Sequence, residues 1–361
     1  MARPGKLWTA VAFVGVAILC ACSSSSNGTS SQSSTGSVTG YSMAAAKQEG
    51  TVTLYTTLGS PQAFAEIESD FKKATGITLV ISRQSGDTLQ RWQADAARRN
   101  SPDVVELSDA GQIEGAIQGG LAAKFTPAAV VSGQIQPISL FAPYAYPTNF
   151  SAFGFAYNTN RVTPAQAKLL GSWSTSFNSA FKGSFGTDDP ALVGGMASAM
   201  WIMKNALGPS AYTAMLNSLA VLKPRLYNSN VPMMAALASG DLSVVLGRSA
   251  DISAELQKGA PIKFVYADPA PLSIGVIMVA KGAKHPQAAR AFEDWYLSVQ
   301  GQEDWCKAYA TSPVNAKAPD CAMMAQESWY QTPTNTVQLT KVPSASDSAA
   351  LLSQFKQIVG G

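Results

Sequence analysis

A single histidine, His285, serves all 361 residues, and that scarcity removes several chemistries at once. A zinc site of the His-Glu-x-x-His kind cannot be assembled, and a serine-histidine-aspartate triad would have to be built on His285 alone. The chain has neither a Gly-x-Ser-x-Gly elbow nor a Gly-x-x-x-x-Gly-Lys-Ser/Thr loop, so acyl transfer and nucleotide hydrolysis lack their signatures. The paired carboxylates Asp188 and Asp189 could do acid-base work, but at a turn before Pro190 they read as loop-shaping residues. Charged side chains make up only 14% of the chain, and the net charge is +3. A run long enough to span a membrane is not found at the N-terminus either. The apolar stretch Leu7 to Leu19 has 13 residues, against about 20 needed.

That stretch, preceded by Arg3 and Lys6, suits the core of a signal peptide. It ends in Leu19-Cys20-Ala21-Cys22, which resembles the bacterial lipoprotein box, in which cleavage before the last cysteine leaves its thiol to carry lipid. An ordinary secretory signal cut nearby is the alternative. Removal of residues 1–21 takes Arg3 and Lys6 with it, leaving 24 basic against 23 acidic residues, a net charge of +1. Such a balance gives no support to a nucleic-acid partner.

Residues 23–40, SSSSNGTSSQSSTGSVTG, are half serine with Val38 as the one apolar residue. They cannot bury enough surface to fold and read as a tether, with a reach of about 20–25 Å. Only Cys306 and Cys321 then remain in the folded part, and in an exported protein two such cysteines pair. Their loop of about 15 residues would stabilise by roughly 3 kcal/mol in the chain-entropy treatment.

The whole chain is 46% hydrophobic, and from Met43 onward it is long enough for two domains with real cores. Short β-type runs alternate with segments of helical period, the pattern of an α/β protein with mostly parallel sheets. TVTLYT empties into a polar turn before Pro61, and Phe64, Ile67, Phe71 and Ala74 then recur at helical steps up to Gly76. ITLVIS is followed by RQSGD and a helix carrying Leu89, Trp92 and Ala96. DVVEL runs into SDAG, with Ser108 or Asp109 as helix cap. The second half repeats this order around Gly194-Gly195, around YNSN and after Arg248. SAFGFAYNTNRV and APLSIGVIMVAKGA read as the stretches that cross between lobes.

In order and spacing, AAAKQEGTVTLYTT, FKKATGITLVISRQSGDTLQRW, SPDVVELSDAGQIEGAIQGGLAAKFTP, FGFAYNTNRV, ASGDLSVVLGRSA and VAKGAKHPQAARAFEDWYLSVQGQ resemble the extracellular solute-binding proteins (family 1) of ATP-binding-cassette importers. The subgroup is that of the iron(III)- and phosphonate-binding members. The resemblance implies a two-lobed periplasmic-binding-protein type II fold, with two or more crossing strands, closing over one ligand. The expected organisation is a lipoprotein signal at 1–21 and a tether at 22–42. Lobe 1 takes 43–150 plus about 272–300, and lobe 2 takes 151–271 plus about 301–361.

It further implies a monomeric, lipid-anchored binding protein on the outer face of the cytoplasmic membrane, with Cys22 lipidated. This protein hands a small polar, anionic organic solute to permease subunits and catalyses nothing. No cofactor, metal or nucleic acid is expected. The adjacent tyrosine pair of the iron-binding members is missing; Tyr144 and Tyr146 come nearest. Iron(III) held with a borrowed anion is the first alternative, and an exported hydrolase or adhesion protein on an α/β scaffold the second.

In open α/β sheets ligands gather where strands end and helices begin, because helix N-termini offer free N–H groups to anions. The candidate ligand contacts are therefore Thr56, Thr57 and Ser60 on the first turn, Ser85 and Gly86 on the second, and Asp109 on the third. Across the cleft they are Gly194, Gly195 and Met196, then Tyr227, Asn228 and Ser229, and finally Arg248. Ser60 has a structural alternative as a helix cap, worth about 1 kcal/mol. Arg248 has one as a surface ion pair with Asp251. Met196, Met200, Met203, Met233 and Met234 fall at helical spacings that suit core packing, with an apolar ligand wall as the alternative.

Overall fold

The computed structural model describes residues 40–360 apart from 60, 85–87, 136–139, 253–254, 257, 310, 320–332 and 334. Its first half contains α1 (Met43–Glu49), β1 (Thr51–Thr56), α2 (Pro61–Thr75), β2 (Thr78–Arg83), α3 (Thr88–Ala97), β3 (Val104–Leu107), α4 (Ala110–Gln118) and the short α5 (Ala128–Val131). The long strand β4 (Tyr146–Asn158) leads to α6 (Pro164–Ala167), β5 (Phe185–Asp188), α7 (Gly194–Leu207), α8 (Pro209–Val221), β6 (Arg225–Tyr227), α9 (Asn230–Ser239) and β7 (Val244–Arg248). Then come β8 (Ile262–Tyr266), β9 (Ala270–Val279), α10 (Pro286–Tyr296), α11 (Val299–Tyr309), β10 (Ser312–Pro313), β11 (Thr336–Val337) and α12 (Ala345–Ile358).

The strands join in the order β2-β1-β3-β9-β4-β7-β5-β6. Strands β1, β2 and β3 are mutually parallel, as are β5, β6 and β7. Between the two triplets lie β9 and β4, which run antiparallel to their neighbours and to each other. The sheet is therefore mixed rather than mostly parallel. Strand β4 divides its pairing: Tyr146 to Ala152 bond β9, and Phe153 to Asn158 bond β7 and β8. It begins five residues earlier than the sequence pattern suggests, because Tyr146 and Pro147 already pair with Ile277 and Val276.

Each triplet has its own core. Val52, Leu54, Ile67, Phe71, Phe292 and Trp305 are buried together on one side, with Phe71 and Phe292 edge to face at 5.1 Å. Phe155, Phe185, Met200, Met203, Leu216 and Leu219 are buried together on the other. The C-terminal segment divides between them: Trp305 and Tyr309 of α11 sit in the first core, and Leu351 and Phe355 of α12 in the second. Burying one such aromatic side chain contributes about 2–3 kcal/mol. Among the described residues no helix is long and apolar enough to cross a membrane.

Gly154 lies in β4, where it pairs with both β7 and β8. A Cβ there would stand 2.3 Å from the Val265 carbonyl oxygen, and backbone cannot yield as a side-chain tip can. We expect Gly154→Ala to lower stability by about 1–3 kcal/mol, read as a fall in the urea midpoint; an unchanged midpoint would show that the strand pair is not held this tightly.

Candidate functional site

Six strands end at one edge, β2 among them on Arg83, and four of the turns beyond the others open directly onto a helix. Strand β1 leads through Thr57 to α2, β3 through Ser108-Asp109 to α4, β5 through Leu192-Val193 to α7, and β6 through Asn228-Ser229 to α9. Strand β7 ends on Arg248 itself. Thr57, Asp109, Gly194, Gly195, Asn228, Ser229 and Arg248 line one narrow cleft that is open to solvent. Seven expected contacts are thus brought together from both halves of the sheet.

Three others stand outside that lining. Thr56 is fully buried, donating to Glu106 Oε2 at 2.7 Å and accepting the Leu58 amide at 3.0 Å. It shares Glu106 with Thr148 (2.7 Å) and Tyr296 (3.0 Å), so its hydroxyl serves the first core. Burial pushes the Glu106 carboxyl up, against the pull of those three hydrogen bonds. Met196 is 1% exposed and packs in the second core. Tyr227 packs with Met233, Met234 and Leu242, and its carbonyl accepts the Asp189 amide. Ser60, Ser85 and Gly86 lie outside the described residues, as do Cys22 and Cys321. Cys306 is buried on α11.

Asp109 is the cap of α4, its Oδ1 accepting the Gln112 amide at 2.8 Å. The N-termini of α7 and α9 are differently made. Val193 has no side-chain oxygen to offer, and Ser229 makes no side-chain cap bond. Both therefore present main-chain N–H groups with partial positive charge. Thr57 Oγ1, also in the lining, is buried and has no hydrogen-bond partner.

Arg248 is 8% exposed. Its Nε and Nη2 donate to Asp251 at 3.0 and 2.8 Å, and Asn230 (2.7 Å) and Tyr309 (3.1 Å) donate to the same carboxylate. The pair with Asp251 is real, but it is buried rather than a surface pair, and it leaves Nη1 on the side of Gly195. Burial alone would lower the guanidinium's affinity for its proton, but the Asp251 charge outweighs this and holds it charged. Sequence reasoning missed Arg83, Gln84, Gln112 and Asn230. Arg83 ends β2 and Gln84 opens the turn after it, but only the folded chain brings Arg83 Nη2 to Asn230 Oδ1 at 3.4 Å. That bond crosses the cleft. So do those of Ser198 Oγ, which donates to the Ser108 carbonyl (3.1 Å) and accepts the Ala110 amide (3.3 Å).

Asp189 shapes its loop as expected, accepting the Ala191 amide at 2.8 Å. Asp188 does something else: it is 3% exposed and its Oδ1 has no partner. His285 is half-buried and bound to Asp103: its Nδ1 lies 2.9 Å from Asp103 Oδ2, and its amide donates to Asp103 Oδ1. Tyr144 lies under Lys124, and Tyr146 donates to Thr126 in the first core.

Comparison with known proteins gives this geometry a family. Residues 66–336 match the family described as bacterial extracellular solute-binding protein. Iron-bound HitA from Pseudomonas aeruginosa has a similar structure at TM-score 0.69 and 18% identity, over 85% of this chain and 99% of that one. AfuA from Actinobacillus pleuropneumoniae, with fructose-6-phosphate bound, has TM-score 0.69 and 19% identity over 86% and 98%. A periplasmic thiamin-binding protein gives TM-score 0.69 at 17% identity, over 86% and 96%. An uncharacterised protein of Haemophilus influenzae is 24% identical over 170 residues, 46% of this chain; the chain spans about half the length of that curated relative. The chain belongs to the bacterial extracellular solute-binding proteins, a family of binding proteins rather than enzymes, and its fold is the two-lobed one of the periplasmic binding proteins.

Burial, and secondarily the charge of Asp251, push the Asp188 carboxyl up from 3.8 to about 7, against the pull of Arg248. A raised folded-state value contributes stability that is complete below the unfolded value and is lost as pH rises through 7. We therefore expect wild-type melting temperature to fall between pH 4 and 8 by an increment that Asp188→Asn removes. The variant should melt several degrees higher at pH 8, on the order of what 1–2 kcal/mol produces. Parallel wild-type and variant melting curves across that range would overturn the assignment.

Proposed function

We propose that this protein is the capture component of an ATP-binding-cassette importer, and that it takes a small anionic organic solute between its lobes. The observation that carries the reading is the convergence, on one cleft, of two helix N-termini without side-chain caps and the buried, permanently charged Arg248. Helix N-termini and a guanidinium fork both favour carboxylate or phosphate oxygens. Arg83 adds a second cation, while Asp109 is the one carboxylate among the described lining residues. No tyrosine or histidine is among those residues, so the donor set suits an anion better than iron(III).

Thr57, Gly194, Gly195, Asn228, Ser229 and Arg248 would touch the solute, with Asp109 holding α4 in place. Residues 43–150 with about 272–300 would form lobe 1 and 151–271 lobe 2; core packing favours α11 with the first and α12 with the second. The protein acts as a monomer and needs no cofactor. Its N-terminal box directs lipidation of Cys22 and anchoring at the outer face of the cytoplasmic membrane, with the serine-rich segment as tether. Cys306 pairs with Cys321, a reading supported by export and by burial of Cys306.

Gly194 stands against Asp109 across the cleft: a Cβ there would lie 2.4 Å from Asp109 Cβ. A methyl group at 194 would wedge the lobes apart. A thermal-shift screen of phosphorylated and carboxylated solutes should yield a stabilising ligand, and Gly194→Ala should weaken it at least tenfold by calorimetry while changing the ligand-free melting temperature little. Stabilisation by uncharged or cationic solutes alone would sink the anion reading. Expressed in a bacterial host, the full chain should sediment with membranes, and Cys22→Ala should move it to the soluble fraction. Unchanged partition would argue for an ordinary secretory signal.

A further inference from the structure

Beyond the contact of α4 with α7 lies a second and larger concavity, of about 500 Å³. Its floor is the face of β9 that carries Leu272, Ile274 and Val276, and its side walls are Ile113 of α4 and Ile202 of α7. Residues 338–340 form a further wall, and Leu140, 53% exposed, stands at the mouth. Not one of its described lining residues is charged.

Strand β9 is central in the sheet, where both faces are ordinarily covered. On one face Ser273 and Gly275 lie against Gly195, Leu58 and Thr148. On the other, Leu272 and Ile274 are only partly buried, an apolar strip inside a walled hollow rather than on a flat surface. Enclosure on several sides suits a small molecule better than a protein partner, whose interface is broad. The absence of charge from the described lining excludes an ionic ligand, because a buried ion needs a partner. Polar capacity at the rim is modest: Gln338 and Thr340 are exposed, while Ser198 is already engaged with Ser108 and Ala110.

We propose that this hollow is a second binding site, separate from the polar cleft, for an uncharged and largely apolar organic molecule. The solute reading above does not depend on it. The chemistry of the two sites is opposite, and the wall between them is the Ser108–Ser198 contact.

The test is titration of the purified chain with N-phenyl-1-naphthylamine, an uncharged dye that fluoresces in apolar surroundings. Saturable enhancement at one dye per chain is expected. Ile274→Trp, which fills the hollow, and Leu272→Glu, which charges its floor, should each weaken binding at least tenfold. Both positions are partly exposed, and unchanged melting temperatures will show that the variants fold. Arg83→Gln, in the polar cleft, should leave dye binding as it is. No saturable enhancement would overturn the proposal. So would enhancement that ignores both floor variants, or enhancement lost in Arg83→Gln, which would locate the dye in the polar cleft.

Discussion

The guanidinium of Arg248 can stand buried in the cleft lining because Asp251 holds it by two hydrogen bonds. A charge this deeply buried would otherwise cost several kcal/mol. The same carboxylate accepts Asn230 at the start of α9 and Tyr309 at the end of α11. One anion thus fixes the end of β7, the entry of a cleft-facing helix and the last turn of a helix from the other core. Replacing Asp251 would remove three restraints at once and leave an unpaired cation behind. This is why the pair is better understood as the scaffold of the site than as a competitor of ligand for Arg248.

A similar arrangement, without net ion pairing, holds the first half. Glu106 collects hydroxyls from β1, β4 and α10, so the ends of the strands beneath the cleft are joined by one buried carboxyl. The two carboxyl groups divide the labour: Glu106 joins β3 and β1 to strand β4, which runs into both halves, and Asp251 joins the arginine to α9 and α11. Strand ends fixed in this way hold the turns beyond them in place, as preorganised binding requires.

Much of this was legible in the chain. The order of strands and helices, the crossing stretches and the Asp109 cap follow from apolar period and from residue types at helix starts. So does the grouping of turns at one edge, which depends on parallel strands all ending the same way. Thr56 does not reach the cleft, and the sequence carries the signal: Val52, Leu54 and Thr56 alternate on one buried side of β1. Met196 faces inward with Met200 and Met203, as the helical spacing of these methionines already suggests. Arg83 with Asn230, and His285 with Asp103, meet across 147 and 182 residues; such pairs are products of topology. The burial of the Arg248 pair belongs with them, since sequence separation of three says nothing about solvent.

Leu339 packs against both the second core and the cluster that contains Ile113 and Phe141. Val337 joins the first of these and Val342 the second. Residues 337–342 therefore make a third bridge between the halves, alongside β4 and β9 but held by side-chain packing instead of a full strand ladder. In the proposed closure over a solute, the two paired strands would be the pivot, and an off-axis apolar tie would add stiffness without touching it. Sequence changes in this tail would then set how readily the cleft opens while its lining stays the same.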